Sequence, residues 1–316
     1  MLSKKLSFYI KIIFTIAFVG YLIFKVDPAM IRADFSSIAW DYFWIGAALT
    51  LPNLLIQWLK WQYLVRMIDP DVSRRSVWRS LFAGFSIGLI TPGRIGEMGK
   101  GVFIDSPQRK LIIGFGVIDK ILSQIALAVF GAVSLLYLTE FVFDFNRPTQ
   151  LIILVFVFWV VVALAVMIFR PSSIRWLIEK LKSWVRFLPW NQHITDVLSA
   201  ADEFKRHHFW PSLHYALLFQ WIVFIQIYCF ANAFHSISFW EALSAAAAAM
   251  FVKALLPITL MDIGVREGAL IFFLGRFGVD AASAFNTSVM IFASNVLLPG
   301  LIGVFFVYKF RWSREK

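Results

Sequence analysis

Cysteine is almost absent: Cys229 is the single one in 316 residues, so no disulfide and no cysteine-based metal framework is possible within one chain. Charge is scarce as well. Asp, Glu, Lys and Arg make up 16% of the sequence, against about a quarter in an ordinary soluble domain. Acid is the scarcer sign, with 19 acidic residues to 30 basic ones and a formal charge of +11. His-Glu-x-x-His and P-loop patterns are missing, which removes two common signs of metal and nucleotide chemistry. The run Lys205-Arg206-His207-His208 has no evident third ligand nearby and reads as solvated loop rather than a metal site. No metal, cofactor or catalytic residue is therefore assigned.

What is abundant is apolar surface. Hydrophobic residues reach 60% and the mean hydropathy is +0.75, values that make lipid the expected solvent. The apolar residues fall in runs of about 20, the length a helix needs to cross a bilayer. These are Phe8 to Phe24, Ile45 to Leu64, Leu111 to Leu138, Leu151 to Phe169, Leu213 to Phe234 and Ala281 to Tyr308. The first run is too long for a secretory signal and lacks a small-x-small cleavage site after it, so it reads as an anchor.

The basic excess follows the ends of these runs. Lys4, Lys5, Lys60, Arg66, Arg74, Arg75, Arg79, Lys100, Arg109 and Lys110, the cations from Arg170 to Arg206, and the closing Lys309 to Lys316 group fall on one side. The other side holds Lys25, Arg32, Arg147 and Arg276. The positive-inside rule then puts both termini in the cytoplasm, in the cytoplasmic (inner) membrane. Cations at the ends of spans also argue against nucleic acid as a partner. Within the segment 171–210, Ile174, Leu177, Ile178, Leu181, Trp184, Val185 and Leu188 recur at helical spacing between basic residues. That pattern predicts a helix lying in the inner headgroup layer.

Two stretches are too apolar for loops and too interrupted for plain spans: 78–104, broken at Pro92, and 239–277, broken at Pro257. Proline removes an amide donor and glycine permits tight excursions, so turns are expected at Pro92, Gly93 and Gly96, and at Pro257, Gly264 and Gly268. Each stretch reads as a re-entrant helical hairpin. By the charge assignment the first joins two cytoplasmic ends and the second two outer ends, so the hairpins enter from opposite faces. The fold class expected is all-α: a single domain over 1–316, a polytopic membrane bundle of about six transmembrane helices plus two re-entrant hairpins in inverted repeats. Arg94, Glu97, Asp119, Lys120, Lys253, Asp262, Arg266 and Glu267 fall at membrane depth, where an ionisable group is expensive unless paired or hydrated and marks a functional cavity by default. Glu97 has Arg94 and Lys120 as candidate partners, and Glu267 has Arg266 and Lys253. A guanidinium can hold a phosphate with two hydrogen bonds, which makes Arg94 and Arg266 the better ligand candidates.

The runs GLITPGRIGEMGKG, GVIDKILSQIAL, LPITLMDIGVREGALIFFLGRFGV and SNVLLPGLIG resemble the flippase-like membrane domain of the lysylphosphatidylglycerol synthases, the multiple peptide resistance factors, over nearly the whole chain. The resemblance implies two inverted halves and movement of a lipid between leaflets. It matches Pro92, Arg94, Gly96 and Glu97 to the first turn of that family, Asp119 and Lys120 to its acidic-basic pair, and Gly264, Arg266 and Glu267 to its second turn. Ser123, Met261 and Asp262 depart from it, the first where an acid is common and the others where glycines are common. No aminoacyltransferase domain follows in the sequence, so lysyl-lipid synthesis is not expected. The substrate-binding set is thus Arg94, Glu97, Asp119, Lys120, Arg266 and Glu267. The expected partner is a membrane phospholipid or polyprenyl-linked lipid, with homo-oligomerisation and a separate lipid-synthesising enzyme left open. The alternative function is modification of a lipid headgroup, with an embedded carboxylate as base, or service as partner subunit to an enzyme that does so.

Overall fold

The computed structural model describes residues 20, 28–91, 93–143, 146–169, 176, 180, 203–256, 259 and 262–314. The run Phe8 to Phe24 (apart from Gly20), both turn prolines and most of the segment 171–210 lie outside the described residues.

Among the described residues the chain is helical throughout. The short α1 (Pro28–Ser36) precedes α2 (Trp40–Ala48) and α3 (Thr50–Ile68), which follow one another across Leu49. Next come α4 (Arg74–Leu89), a 3₁₀ helix (Ile95–Phe103), α5 (Arg109–Phe141) and α6 (Arg147–Phe169). The second half holds α7 (Arg206–Phe234), α8 (Phe239–Leu255), α9 (Val265–Gly275), α10 (Ala281–Phe292), a π-helical turn (Ala293–Leu297) and α11 (Leu298–Arg314). Among the described residues, five stretches are long and apolar enough to cross a membrane: Trp40–Ile68, Arg109–Glu140, Arg147–Val166, His207–Phe234 and Ala281–Phe310. They coincide with five of the six runs read from sequence. The outer face of α6 shows why water is the wrong solvent, since Ile152 is 70% and Trp159 63% exposed.

Local signals fix where several of these helices begin. Ser73 caps α4 by accepting from the Ser76 amide at 3.2 Å, and Asp280 caps α10 by accepting from the amides of Ala282 and Ser283 at 3.0 and 2.9 Å. Ser238 and Glu241 form a capping box at α8, the Ser238 amide donating to the Glu241 carboxylate at 3.2 Å. Behind that box, Ala245 to Ala249 are buried; side chains this small let membrane helices approach closely.

Packing is crosswise between the halves. α11 lies against α4 and α8 against α5, while α7 packs on α2 and α3. Each hairpin is thereby held by the long helix of the other half. Two large apolar cores result among the described residues, one around Trp61, Phe115 and Leu122, the other around Phe224, Phe230 and Leu270, with a small third around Ala282 and Phe285. The two large cores both contribute to the wall of one polar cavity.

Candidate functional site: a charged cavity between two hairpins

The first hairpin is α4 with the 3₁₀ helix, the second α8 with α9, and their tips touch: the Gly93 amide donates to the Thr259 carbonyl at 3.4 Å. Both tips place a charged residue in left-handed backbone. Arg94 has φ 54° beside Gly93 at 58°, and Asp262 has φ 60° two residues before Gly264 at 93°. Glycine adopts such angles freely, whereas a side chain costs about 1–2 kcal/mol there, least for Asp and Asn. Strain retained at a non-glycine residue is a feature of functional turns. The second tip is also tied to its own helix, for the Glu267 carboxylate reaches back to the Gly264 amide at 2.5 Å.

Between the hairpins lies a cavity of about 140 Å³ bounded by α3, α4, the 3₁₀ helix, α5, α7, α8, α9 and the π turn. Its lining carries six cations, Lys60, Arg94, Lys100, Lys120, Lys253 and Arg266, against three carboxylates, Glu97, Asp119 and Asp262. Four neutral amides, Gln57, Gln124, Gln220 and Asn295, and the Ser123 hydroxyl complete the polar surface. The excess of positive charge is not spread evenly.

In the first half each carboxylate serves two cations. Asp119 accepts from Lys100 at 2.5 Å and sits 2.9 Å from Lys60. Lys60 also donates to Ser123 Oγ at 2.6 Å, and Lys100 lies over the Trp61 indole, 4.3 Å from its centroid. Lys60 and Lys100 are 3% and 5% exposed, so they are not the loop cations that the charge pattern suggested; they belong to the site. Glu97 pairs with Arg94 and, more loosely, with Lys120 at 3.7 Å. The Arg94 Nε is buried with no hydrogen-bond partner among the described residues. An orphaned buried donor of this kind asks for an acceptor.

In the second half the pairing is one to one. Lys253 meets Asp262 at 2.9 Å, and Arg266 pairs with Glu267. Arg266 is further fixed by donation to Ser288 Oγ at 2.9 Å and by the Phe292 ring 4.8 Å away. The π turn brings Asn295 to the cavity wall, where it donates to Gln226 at 2.7 Å. Such turns recur where a helix is bent to a functional purpose.

Of the residues expected from sequence, Arg94, Glu97, Asp119, Lys120 and Arg266 all line this one cavity, and Glu267 backs it through Arg266. Gly96 donates to Thr91 Oγ1 at 2.8 Å; a Cβ there would lie 2.5 Å from the Ile87 side chain, so the turn requires glycine. Gly268 donates to the Gly264 carbonyl at 2.8 Å, in the first turn of α9. Sequence reasoning missed Lys60, Lys100 and the amides. Their signal is a polar side chain inside an apolar run, which alone does not name a partner.

One sequence pattern has a simple structural meaning. Gly84-Phe85-Ser86-Ile87-Gly88 spells Gly-x-Ser-x-Gly, but it lies inside α4 rather than at a strand-to-helix turn. Ser86 donates to the Gly300 carbonyl of α11 at 2.6 Å, so its hydroxyl joins two helices.

The family model described as Lysylphosphatidylglycerol synthase TM region matches residues 8–303, which include both hairpins and every residue of the cavity. The chain belongs to that family. No curated protein matches it. As a lysylphosphatidylglycerol synthase TM-region protein with five crossing-length stretches among its described residues, it is a multi-pass membrane protein with a role related to membrane lipid. Asp262 takes a positive φ and uses its carboxylate on Lys253.

Proposed function

We propose that this protein holds the anionic headgroup of a membrane lipid between its two hairpins and passes the lipid from one leaflet to the other. The observation that carries the reading is the cationic excess of the cavity, with a buried Arg94 donor left over. In a low-dielectric setting an uncompensated cation attracts a phosphate far more strongly than it would in water.

Several features support the finer reading. Read as re-entrant segments, the hairpins enter from opposite faces, and irregular backbone at such depth is tolerable where it lines a wet cavity. The charge distribution favours the cytoplasmic membrane with both termini inside. A cavity of about 140 Å³ admits a phosphate and its immediate substituents, whereas pockets that enclose a whole drug-sized ligand run to about 300–1,000 Å³. The acyl or prenyl chains therefore stay in the bilayer while the headgroup crosses. A phospholipid and a polyprenyl-linked lipid both present the phosphate this requires. Headgroup modification would need a free base or nucleophile, and Glu97, Asp119 and Asp262 are each engaged by a cation, which favours translocation.

The test is reconstitution of the full chain into liposomes with labelled anionic lipids, scoring transbilayer movement and covalent headgroup change together. Movement without modification is the expected result. Modification without movement would replace this reading with an enzyme.

A further inference from the structure

We propose a second anionic-lipid site at the base of the first hairpin, outside the central cavity, in which a phospholipid phosphate sits between Arg79 and Lys309 and the acyl chains run along α11. A crevice of about 320 Å³ opens there between the starts of α4 and α5 and the end of α11. Three cations face it, Arg79, Arg109 and Lys309, with Asp105 the single carboxylate among its lining residues. Asp105 is spent on Arg109, whose NH2 donates to it at 2.8 Å and whose Nε donates to the Ile104 carbonyl at 2.8 Å. Arg79 and Lys309 are exposed and make no ion pair among the described residues. Two unpaired cations thus face one opening, and a phosphate is the group that a guanidinium and an ammonium would share.

The walls of the crevice select a lipid over a free anion. Phe103 and Phe310 pack edge to face at 5.1 Å, and Phe306 completes an aromatic floor that a hydrated phosphate would not use. Beyond it Leu301, Ile302 and Phe305 leave α11 exposed toward the bilayer, at 57%, 44% and 64%. Basic pockets between membrane helices, cations above and apolar surface below, suit anionic phospholipid headgroups. A lipid in this place joins the base of the first hairpin to α11, whose seam with α4 is closed further along by the Ser86 to Gly300 hydrogen bond. The site takes no residue from the central cavity and stands or falls separately from it.

The experiment places the full chain in phosphatidylcholine nanodiscs doped with a photoreactive phosphatidylglycerol and maps the adducts by peptide mass spectrometry. Adducts are expected on the peptide holding Phe306 to Phe310. Excess unlabelled phosphatidylglycerol should suppress them; phosphatidylcholine and inorganic phosphate should not. Arg79→Gln/Lys309→Gln should lower the yield at least tenfold, and Arg79→Lys/Lys309→Arg should restore most of it. If the double variant fails to fold, the exposed single substitution Lys309→Gln should lower the yield at least threefold. An unchanged yield in the Gln variants, or equal competition by phosphatidylcholine, would overturn the site. Displacement by inorganic phosphate would overturn the lipid assignment in favour of a free-anion site.

Discussion

The backbone amide of Gly93 donates to the carbonyl of Thr259 at 3.4 Å, joining the tip of the first hairpin to the tip of the second. Each hairpin belongs to a different half of the chain, and each is braced by the long helix of the opposite half. A displacement of one tip must therefore break or carry the other. Around this junction the cations of the cavity fall into two kinds, those fixed by several partners, as Arg266 is, and those held by one carboxylate alone, as Arg94 and Lys120 are.

Under the proposed function, that division separates ligand contacts from supports. Arg94 and Lys120 share Glu97, the second at 3.7 Å. Arg94→Gln and Lys120→Gln should fold normally and lower lipid movement about tenfold or more, the loss of one charge-assisted contact of roughly 1.5–3 kcal/mol. Arg266, 3% exposed and held by Glu267, Ser288 and Phe292, should behave differently. Arg266→Gln leaves a buried carboxylate without its cation and should lose about 3–5 kcal/mol of stability. Thermal unfolding and transport measured on the same preparations distinguish the two outcomes.

Asp119 is the support of the first half. Asp119→Ala strands two lysines that are almost fully buried, again a loss of about 3–5 kcal/mol. Removing all three charges together, as Lys60→Met/Asp119→Asn/Lys100→Met, should recover most of that loss, because no uncompensated ion then remains. A melting series in detergent checks the order: wild type and triple variant close together, Asp119→Ala well below.

Much of this was legible before any coordinates. Long apolar runs report helices directly, and Pro92 and Pro257 with their glycines report the breaks, since helix physics is local. The convergence of Arg94, Glu97, Asp119, Lys120 and Arg266 also followed from one rule, that charge at depth seeks charge. Lys60 and Lys100 were not legible as site residues. Each lies near the end of an apolar stretch, where a lysine normally reaches the interface; only packing against Asp119 shows otherwise. The pairing of Lys253 with Asp262 rather than Glu267 likewise depends on how the second tip turns.

The second tip gives a prediction about backbone. Asp262 combines φ 60° with an ion pair to Lys253. Asp262→Asn keeps the tolerance of left-handed backbone and loses the charge; Asp262→Ala loses both. The alanine variant should be less stable than the asparagine one by about 1 kcal/mol, read from unfolding midpoints.

At the other end of α10, Asp34 of α1 accepts from Ser283 and Asn286, each at 3.1 Å. Burial raises the Asp34 pKa above its ordinary value, with repulsion from Asp280 adding to it, while hydrogen bonds from the amides and hydroxyl at the α10 start lower that of Asp280. A raised carboxyl disfavours the folded state when ionised, so its contribution improves as pH falls toward its folded pKa. The lowered Asp280 cap is lost only below the usual carboxylate range. As pH falls from neutrality into the carboxylate range, the Asp34 contribution should rise slightly, by less than about 1 kcal/mol at so accessible a site. Asp34→Asn should show that gain already at pH 7 and lose this part of the pH dependence, read by comparing unfolding midpoints of the two proteins across the same pH series.

The central claim is that cavity cations carry an anionic headgroup across the membrane. Its most direct measurement is the protection of a fluorescent anionic lipid from an external quencher in liposomes holding wild type, Arg94→Gln or Lys120→Gln, each of which leaves Glu97 one cation. The account predicts that wild type exchanges the lipid between leaflets, that a zwitterionic analogue moves at least tenfold more slowly, and that each single variant moves the anionic lipid about tenfold more slowly than wild type while remaining folded. Equal movement by wild type and the two folded variants would contradict it.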